Sequence, residues 1–196
     1  MFAHSSQFFA SRVALQASSS ISVLVLNTFV TPAQVGIYGA SDKLFNAFKS
    51  LINPFSQALY PYMANTGNTK LLFKVTVLLG LAMLVPASIG FYFAEEVITL
   101  IYGIDFIESA SILRIFIVTG FFAFFSILYG YPAFASIKRV DLANKSVIIS
   151  GSAQLVVLIA LASFQMITIM TVSYAILSVE LLTLFLRIYW FKRTKT

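Results

Sequence analysis

Apolar residues run along this chain in stretches of twenty or more, separated by short polar groups, and that pattern predicts membrane helices. A hydrocarbon core of about 30 Å asks for roughly 20 apolar residues per helix. Six segments meet this length: 10–30, 33–64, 71–94, 110–136, 143–164 and 167–191. They are far longer than the roughly 10-residue alternating strands of an outer-membrane barrel. A helix also satisfies its own backbone groups, as lipid requires. The breaks carry turn chemistry. Thr31-Pro32 separates the first two segments, and Asn65-Thr66-Gly67-Asn68 precedes the third. Glu95 to Glu108 forms an acidic, partly amphipathic connection expected at the membrane interface. Lys138-Arg139-Val140-Asp141 is expected to end the fourth helix, and Phe164 to Ile167 to turn between the fifth and sixth. The expected fold is an all-α membrane protein, with residues 1–196 forming a single six-transmembrane-helix bundle.

Composition strengthens this reading. Hydrophobic residues make up 59% of the 196, charged residues only 10%, and mean hydropathy is +0.91. Soluble domains carry about 25% charged residues, so the solvent of this fold is lipid. There is no Cys, which excludes disulfides and thiolate chemistry. His4 has no partner with which to hold a metal.

The net charge of +6 is explained by topology rather than by nucleic acid. With six spans, one side receives Arg12, Lys70, Lys74, Lys138, Arg139, Lys145, Lys192, Arg193 and Lys195. The other receives Glu95, Glu96, Asp105 and Glu108, with Arg114 at its edge and expected to pair with Glu108 or Asp105. The positive-inside rule then makes both termini cytoplasmic. Tyr189 and Trp190 sit where an interfacial aromatic anchor belongs, and Arg187 nearby is expected to snorkel.

Ionisable groups at bilayer depth are costly and face a bundle interior or a watery cavity. In the second segment Asp42, Asn46, Lys49, Asn53, Ser56 and Gln57 follow steps of four, three, four, three and one, which aligns them on one helical face. Leu44, Phe48, Leu51, Phe55 and Leu59 lie opposite, and Pro54 and Pro61 interrupt the inner half. At 1.5 Å per residue this segment is about 48 Å long, so it must tilt, bend or protrude. Two readings stand: a cavity-lining helix, or an internal ion pair with hydrogen bonds that glue the bundle. In the latter, Asp42 is satisfied by Lys49 through water or by a neighbouring helix. Glu180 is either a structural partner of a basic group on another helix or an ion-coupling carboxylate. The stripe Arg12, Gln16, Ser19, Ser20, Val23 and Asn27, and the group Ser150, Ser152 and Gln154, read as helix-packing contacts. No phosphate loop, nucleophile elbow, zinc-binding helix motif or paired carboxylate is present, so neither an enzyme nor a cofactor is expected.

The run Val35-Gly36-Ile37-Tyr38-Gly39-Ala40-Ser41-Asp42-Lys43-Leu44, followed by Pro54-Phe55-Ser56-Gln57-Ala58-Leu59-Tyr60-Pro61, resembles a helix of polysaccharide flippases. These are the O-antigen and lipid-linked-oligosaccharide translocases of the multidrug/oligosaccharidyl-lipid/polysaccharide exporter superfamily. Leu100-Ile101-Tyr102-Gly103-Ile104-Asp105-Phe106 and Ser109-Ala110-Ser111-Ile112-Leu113-Arg114 are similar to a run in their C-terminal half. The resemblance implies one six-helix lobe of a two-lobe transporter, the N-terminal lobe lying outside this chain. It implies rocking lobes that pass an undecaprenyl-pyrophosphate-linked oligosaccharide outward across the bacterial inner membrane. Basic cavity residues attract the pyrophosphate while the polyprenyl tail stays in lipid, and Lys49 and Lys43 are the candidates for that task. Asp42, Asn46, Asn53 and Gln57 complete the candidate cavity lining. A drug or cation antiporter lobe of the same superfamily would instead use Asp42 and Glu180. A nontransporting scaffold accounts for the spans but not for the charged stripe.

Overall fold

The computed structural model describes residues 21–195, and among these every regular element is helical. The first described helix, α1, covers 21–29, so most of the expected 10–30 helix, together with His4, Arg12, Gln16, Ser19 and Ser20, lies outside the described residues. The others are α2 (Pro32–Thr66), α3 (Thr69–Tyr92), α4 (Ala94–Tyr102), a 3-10 turn (Ile104–Phe106), α5 (Ser109–Leu128), α6 (Tyr131–Ser136), α7 (Val140–Ser163) and α8 (Ile169–Lys195).

The local chemistry explains these boundaries. Thr31 caps α2 in a reciprocal capping box with Gln34, and Pro32 opens the helix, where its missing N–H costs nothing. Gly67 closes α2 in the left-handed region at φ 61°, and the Asn68 carboxamide oxygen accepts from Leu71 N–H to start α3. The acidic connection is built of α4 and the 3-10 turn. Two expectations are corrected. The expected 110–136 helix is interrupted at Tyr129-Gly130, because Pro132 supplies no N–H and Gly130 follows a different backbone path. Lys138 and Arg139 form the turn after α6, whereas Val140 and Asp141 begin α7 rather than end the preceding helix.

Among the described residues, four helical stretches are long and apolar enough to cross a membrane: 69–92, 109–136 (α5 with α6), 140–163 and 169–194. The chain is thus a multi-pass membrane protein. The 35 residues of α2 exceed the length of a span, but three charges within eight residues, Asp42, Lys43 and Lys49, set it apart from the other four. Of the six expected spans, four are long and apolar enough among the described residues, that at 10–30 lies mostly outside them, and α2 is set apart by its charges.

α5 occupies the centre and packs against α2, α3, α4 and α8, while α7 packs on α8. Tyr38 and Phe45 of α2, Ile112 and Phe116 of α5, Leu158 of α7 and Val172 of α8 share one cluster. Met63, Leu72, Phe134, Leu142 and Phe191 share another and gather the ends of α2, α3, α6, α7 and α8. Around that second cluster the exposed cations Lys70, Lys138, Arg139, Lys145, Lys192 and Arg193 flank the helix termini. The exposed carboxylates Glu95, Glu96, Asp105 and Glu108 surround a third cluster, built from Ala94, Ile98, Ala110 and Leu113. The two charge signs read from the sequence therefore sit at different packed ends of the bundle.

Candidate functional site

The site is the polar face of α2. Its apolar residues Tyr38, Phe45, Ile52 and Met63 are buried, and Ser41 is buried with them. The Ser41 hydroxyl donates to the Ser109 carbonyl at 2.7 Å, and the Ser109 hydroxyl donates to the Ile37 carbonyl at 2.8 Å. This reciprocal pair bolts α2 to the start of α5 and sets which face of α2 turns outward. On that outward face Lys43, Asn46, Ser50, Asn53 and Gln57 are exposed at steps of three, four, three and four. Asp42, Lys49 and Ser56 flank them and are half-buried.

Inside this stripe the charges are paired and supported. Asn46 Nδ2 donates to Asp42 Oδ2 at 3.0 Å, so the carboxylate is held by its own helix one turn away. The Lys49 ammonium stands over the Phe45 ring, 4.3 Å from its centroid. Phe45 stacks on Phe116 at 5.0 Å, and Tyr38 meets Phe116 edge-on at 5.6 Å. The ammonium is thus mounted on a rigid aromatic column that reaches the centre of the bundle. Lys49 also interacts electrostatically with Glu180 of α8 and with Asp42. Glu180 is within electrostatic range of Lys49 and forms no ion pair among the described residues. Asp42, Asn46 and Lys49 thus stand together on α2, with Glu180 of α8 within electrostatic range of Lys49. Lys43, Asn53 and Gln57 continue the same surface above and below.

Arg187 corrects the expectation of snorkelling. It is only 7% exposed. Its Nε donates to Ser146 Oγ at 2.9 Å, and its Nη1 donates to the Ser126 carbonyl at 2.6 Å and to Ser126 Oγ at 3.1 Å. Thr183, one turn earlier, donates to Ser150 Oγ at 2.7 Å. A polar seam therefore runs between α5, α7 and α8, and it interacts electrostatically with Glu180. The spacing signal existed: Glu180, Thr183 and Arg187 share one face of α8, and Ser146 and Ser150 share one face of α7.

Elsewhere, Arg114 pairs with Glu95 at 3.0 Å and donates to the Phe91 carbonyl, rather than meeting Glu108 or Asp105. That choice fastens α5 to α4. Gln154 packs as expected and donates to Ser22 Oγ at 2.9 Å, while Ser152 is exposed. In the first stripe Val23 is half-buried and Asn27 is exposed; the buried positions of α1 are Ser22 and Leu26. Just outside the span of α7, Arg139 donates two hydrogen bonds to the Asp141 carboxylate, which raises the Arg139 pKa above its ordinary value. Among the described residues no three His, Cys, Asp or Glu side chains gather as metal ligands.

Residues 1–67 match the model of a family described as polysaccharide biosynthesis protein. The matched stretch ends at the Gly67 cap of α2, so it contains the whole α2 stripe and none of α8. It agrees with the resemblance to polysaccharide flippases seen in the residues of α2. No curated protein and no solved structure matches the chain.

Proposed function

We propose that this chain is the C-terminal lobe of a flippase that moves an undecaprenyl-pyrophosphate-linked oligosaccharide outward across a bacterial inner membrane. The observation that carries the proposal is the outward polar face of α2. Lys43, Asn46, Ser50, Asn53 and Gln57 are exposed on a helix packed within an apolar membrane bundle. Such a face is unstable against hydrocarbon, so it lines water or polar cargo. A second, N-terminal lobe would close the other side of that cavity. Lys49, held over Phe45, and the exposed Lys43 would attract the pyrophosphate, while Asn46, Asn53 and Gln57 would meet sugar hydroxyls. Both termini would be cytoplasmic, because the basic end of the bundle carries Lys70, Lys138, Arg139, Lys192 and Arg193.

The test is a lipid extract from cells lacking the gene, read by mass spectrometry. Accumulation of polyprenyl-pyrophosphate oligosaccharide with loss of surface glycan is the expected result, and its mass identifies the cargo. Unchanged lipid and unchanged glycan reject the reading. A drug or cation antiporter lobe is the second reading, favoured by the two carboxylates, Asp42 and Glu180, that flank Lys49 electrostatically. It predicts drug sensitivity in the same cells with no lipid accumulation.

A further inference from the structure

Pro54 and Pro61 lie inside the continuous helix α2. A proline has no N–H, so the carbonyl four residues back loses its helical donor, and the ring presses that carbonyl aside. Pro54 thereby frees the Ser50 carbonyl, and Pro61 frees the Gln57 carbonyl. Both carbonyls belong to residues of the exposed polar stripe, two turns and about 10 Å apart. A freed carbonyl points along the helix toward the residue four ahead, and Ser50, Pro54, Gln57 and Pro61 are all exposed. The Ser50 hydroxyl does not satisfy its own carbonyl, since it donates to the Ala47 carbonyl at 2.7 Å. The side-chain amides of Asn53 and Gln57 have no hydrogen-bond partner among the described residues. Pro86 of α3 frees the Ala82 carbonyl in the same way, but there the exposed neighbours are the apolar Leu81 and Val85. Only on α2 do freed carbonyls coincide with a polar face.

We infer that the Ser50 and Gln57 carbonyls are a pair of backbone acceptors that receives the hydroxyl donors of a neutral, polyhydroxylated ligand. This rests on the reading above that α2 lines a cargo cavity, and it assigns the glycan of that cargo to residues 50–61. An unsatisfied carbonyl is costly at bilayer depth, so each of the two requires a donor from outside the helix. The stretch 50–61 carries no charged residue, whereas Lys43 and Lys49 stand immediately before it. The face of α2 is therefore divided along its length: cations for an anionic group, then neutral acceptors for hydroxyls. A backbone carbonyl is fixed in place and accepts from any hydroxyl that reaches it, so the pair holds a glycan without selecting one sugar.

Pro54→Ala and Pro61→Ala each return an N–H to α2 and occupy the Ser50 or the Gln57 carbonyl from within. Each should leave Tm unchanged or raised, because an interior proline is unfavourable in a helix. Each should nevertheless lower export per inserted copy by about five-fold, the value of one hydrogen bond. Pro86→Ala makes the same repair in α3 and should leave export unchanged. The ester twin of Pro54→Ala, with lactic acid at position 54, again has no N–H and should recover export. All are full chains in cells lacking the gene, scored by surface glycan and by accumulated polyprenyl-pyrophosphate oligosaccharide. Normal export in either α2 variant, an equal loss in Pro86→Ala, or an ester twin as weak as Pro54→Ala overturns the acceptor pair. Where deletion of the gene still accumulates the lipid-linked glycan, the flippase reading survives that result. Where deletion changes neither lipid nor glycan, that reading fails and the acceptor pair falls with it.

Discussion

Two glycines on neighbouring helices give the sharpest test of how this bundle is packed. Gly80 of α3 lies against α5, where a Cβ would stand 2.6 Å and 2.8 Å from Phe125 Cζ and Cε1. Gly120 of α5 lies against α2, where a Cβ would stand 2.9 Å from both Cδ1 and Cε1 of Phe48. Both overlaps are severe, yet the rings differ in freedom. Phe125 is wedged edge-on against Phe121 and Phe124, each at 5.2 Å. Phe48 borders an apolar cavity of about 150 Å³ shared with Pro86, Ala87 and Ile117, so it has somewhere to go. Overpacking costs about 1–3 kcal/mol according to how far neighbours can yield. We expect Gly80→Ala near the top of that range, at about 2–3 kcal/mol, and Gly120→Ala near the bottom, at about 1 kcal/mol. For a chain of this size each kcal/mol moves Tm by roughly 2–4 °C. Gly80→Ala should therefore lower Tm by about 4–12 °C, and Gly120→Ala by about 2–4 °C. Both are read in detergent from the fluorescence of Trp190, the single tryptophan. An equal or larger loss in Gly120→Ala would refute the argument, since it would mean that Phe48 cannot use the cavity.

Other consequences are as direct. Ser41→Ala and Ser109→Ala each remove one of two reciprocal hydrogen bonds between α2 and α5; each should cost about 1 kcal/mol, and the double-mutant cycle should return a coupling near the ~0.6 kcal/mol typical between membrane helices. A coupling of zero would mean that the serines act independently. Lys49→Ala should abolish glycan export while leaving membrane insertion intact and lowering Tm by about 1–8 °C, since the cation–π contact it loses is worth about 0.5–2 kcal/mol; normal surface glycan in that strain argues against a cargo role for the ammonium. Arg114→Ala breaks a partly exposed pair with Glu95 and should cost about 1 kcal/mol or less; a loss of several kcal/mol in chemical denaturation would show that α4 depends on that pair.

The sequence by itself determined what depends on composition and period. Apolar runs of span length, the Thr31-Pro32 and Gly67-Asn68 breaks and the separation of basic from acidic loops were all legible, because the bilayer imposes them residue by residue. The alignment of Asp42, Asn46, Lys49, Asn53 and Gln57 was legible too, since it needs only the helical repeat. Tertiary structure alone decided which groups meet. That Lys49 rests on Phe45, that Phe45 stacks on Phe116, and that Glu180 lies within electrostatic reach depend on how α2, α5 and α8 cross. Arg187 shows why. Near the end of an apolar helix, an arginine with a long stem reads as one that reaches for the interface. It stays buried because a helix broken at Gly130 and Pro132, 55 or more residues earlier, leaves a carbonyl at the point its guanidinium reaches. Local pattern specifies that a polar group is present; only the crossing of distant segments specifies its partner.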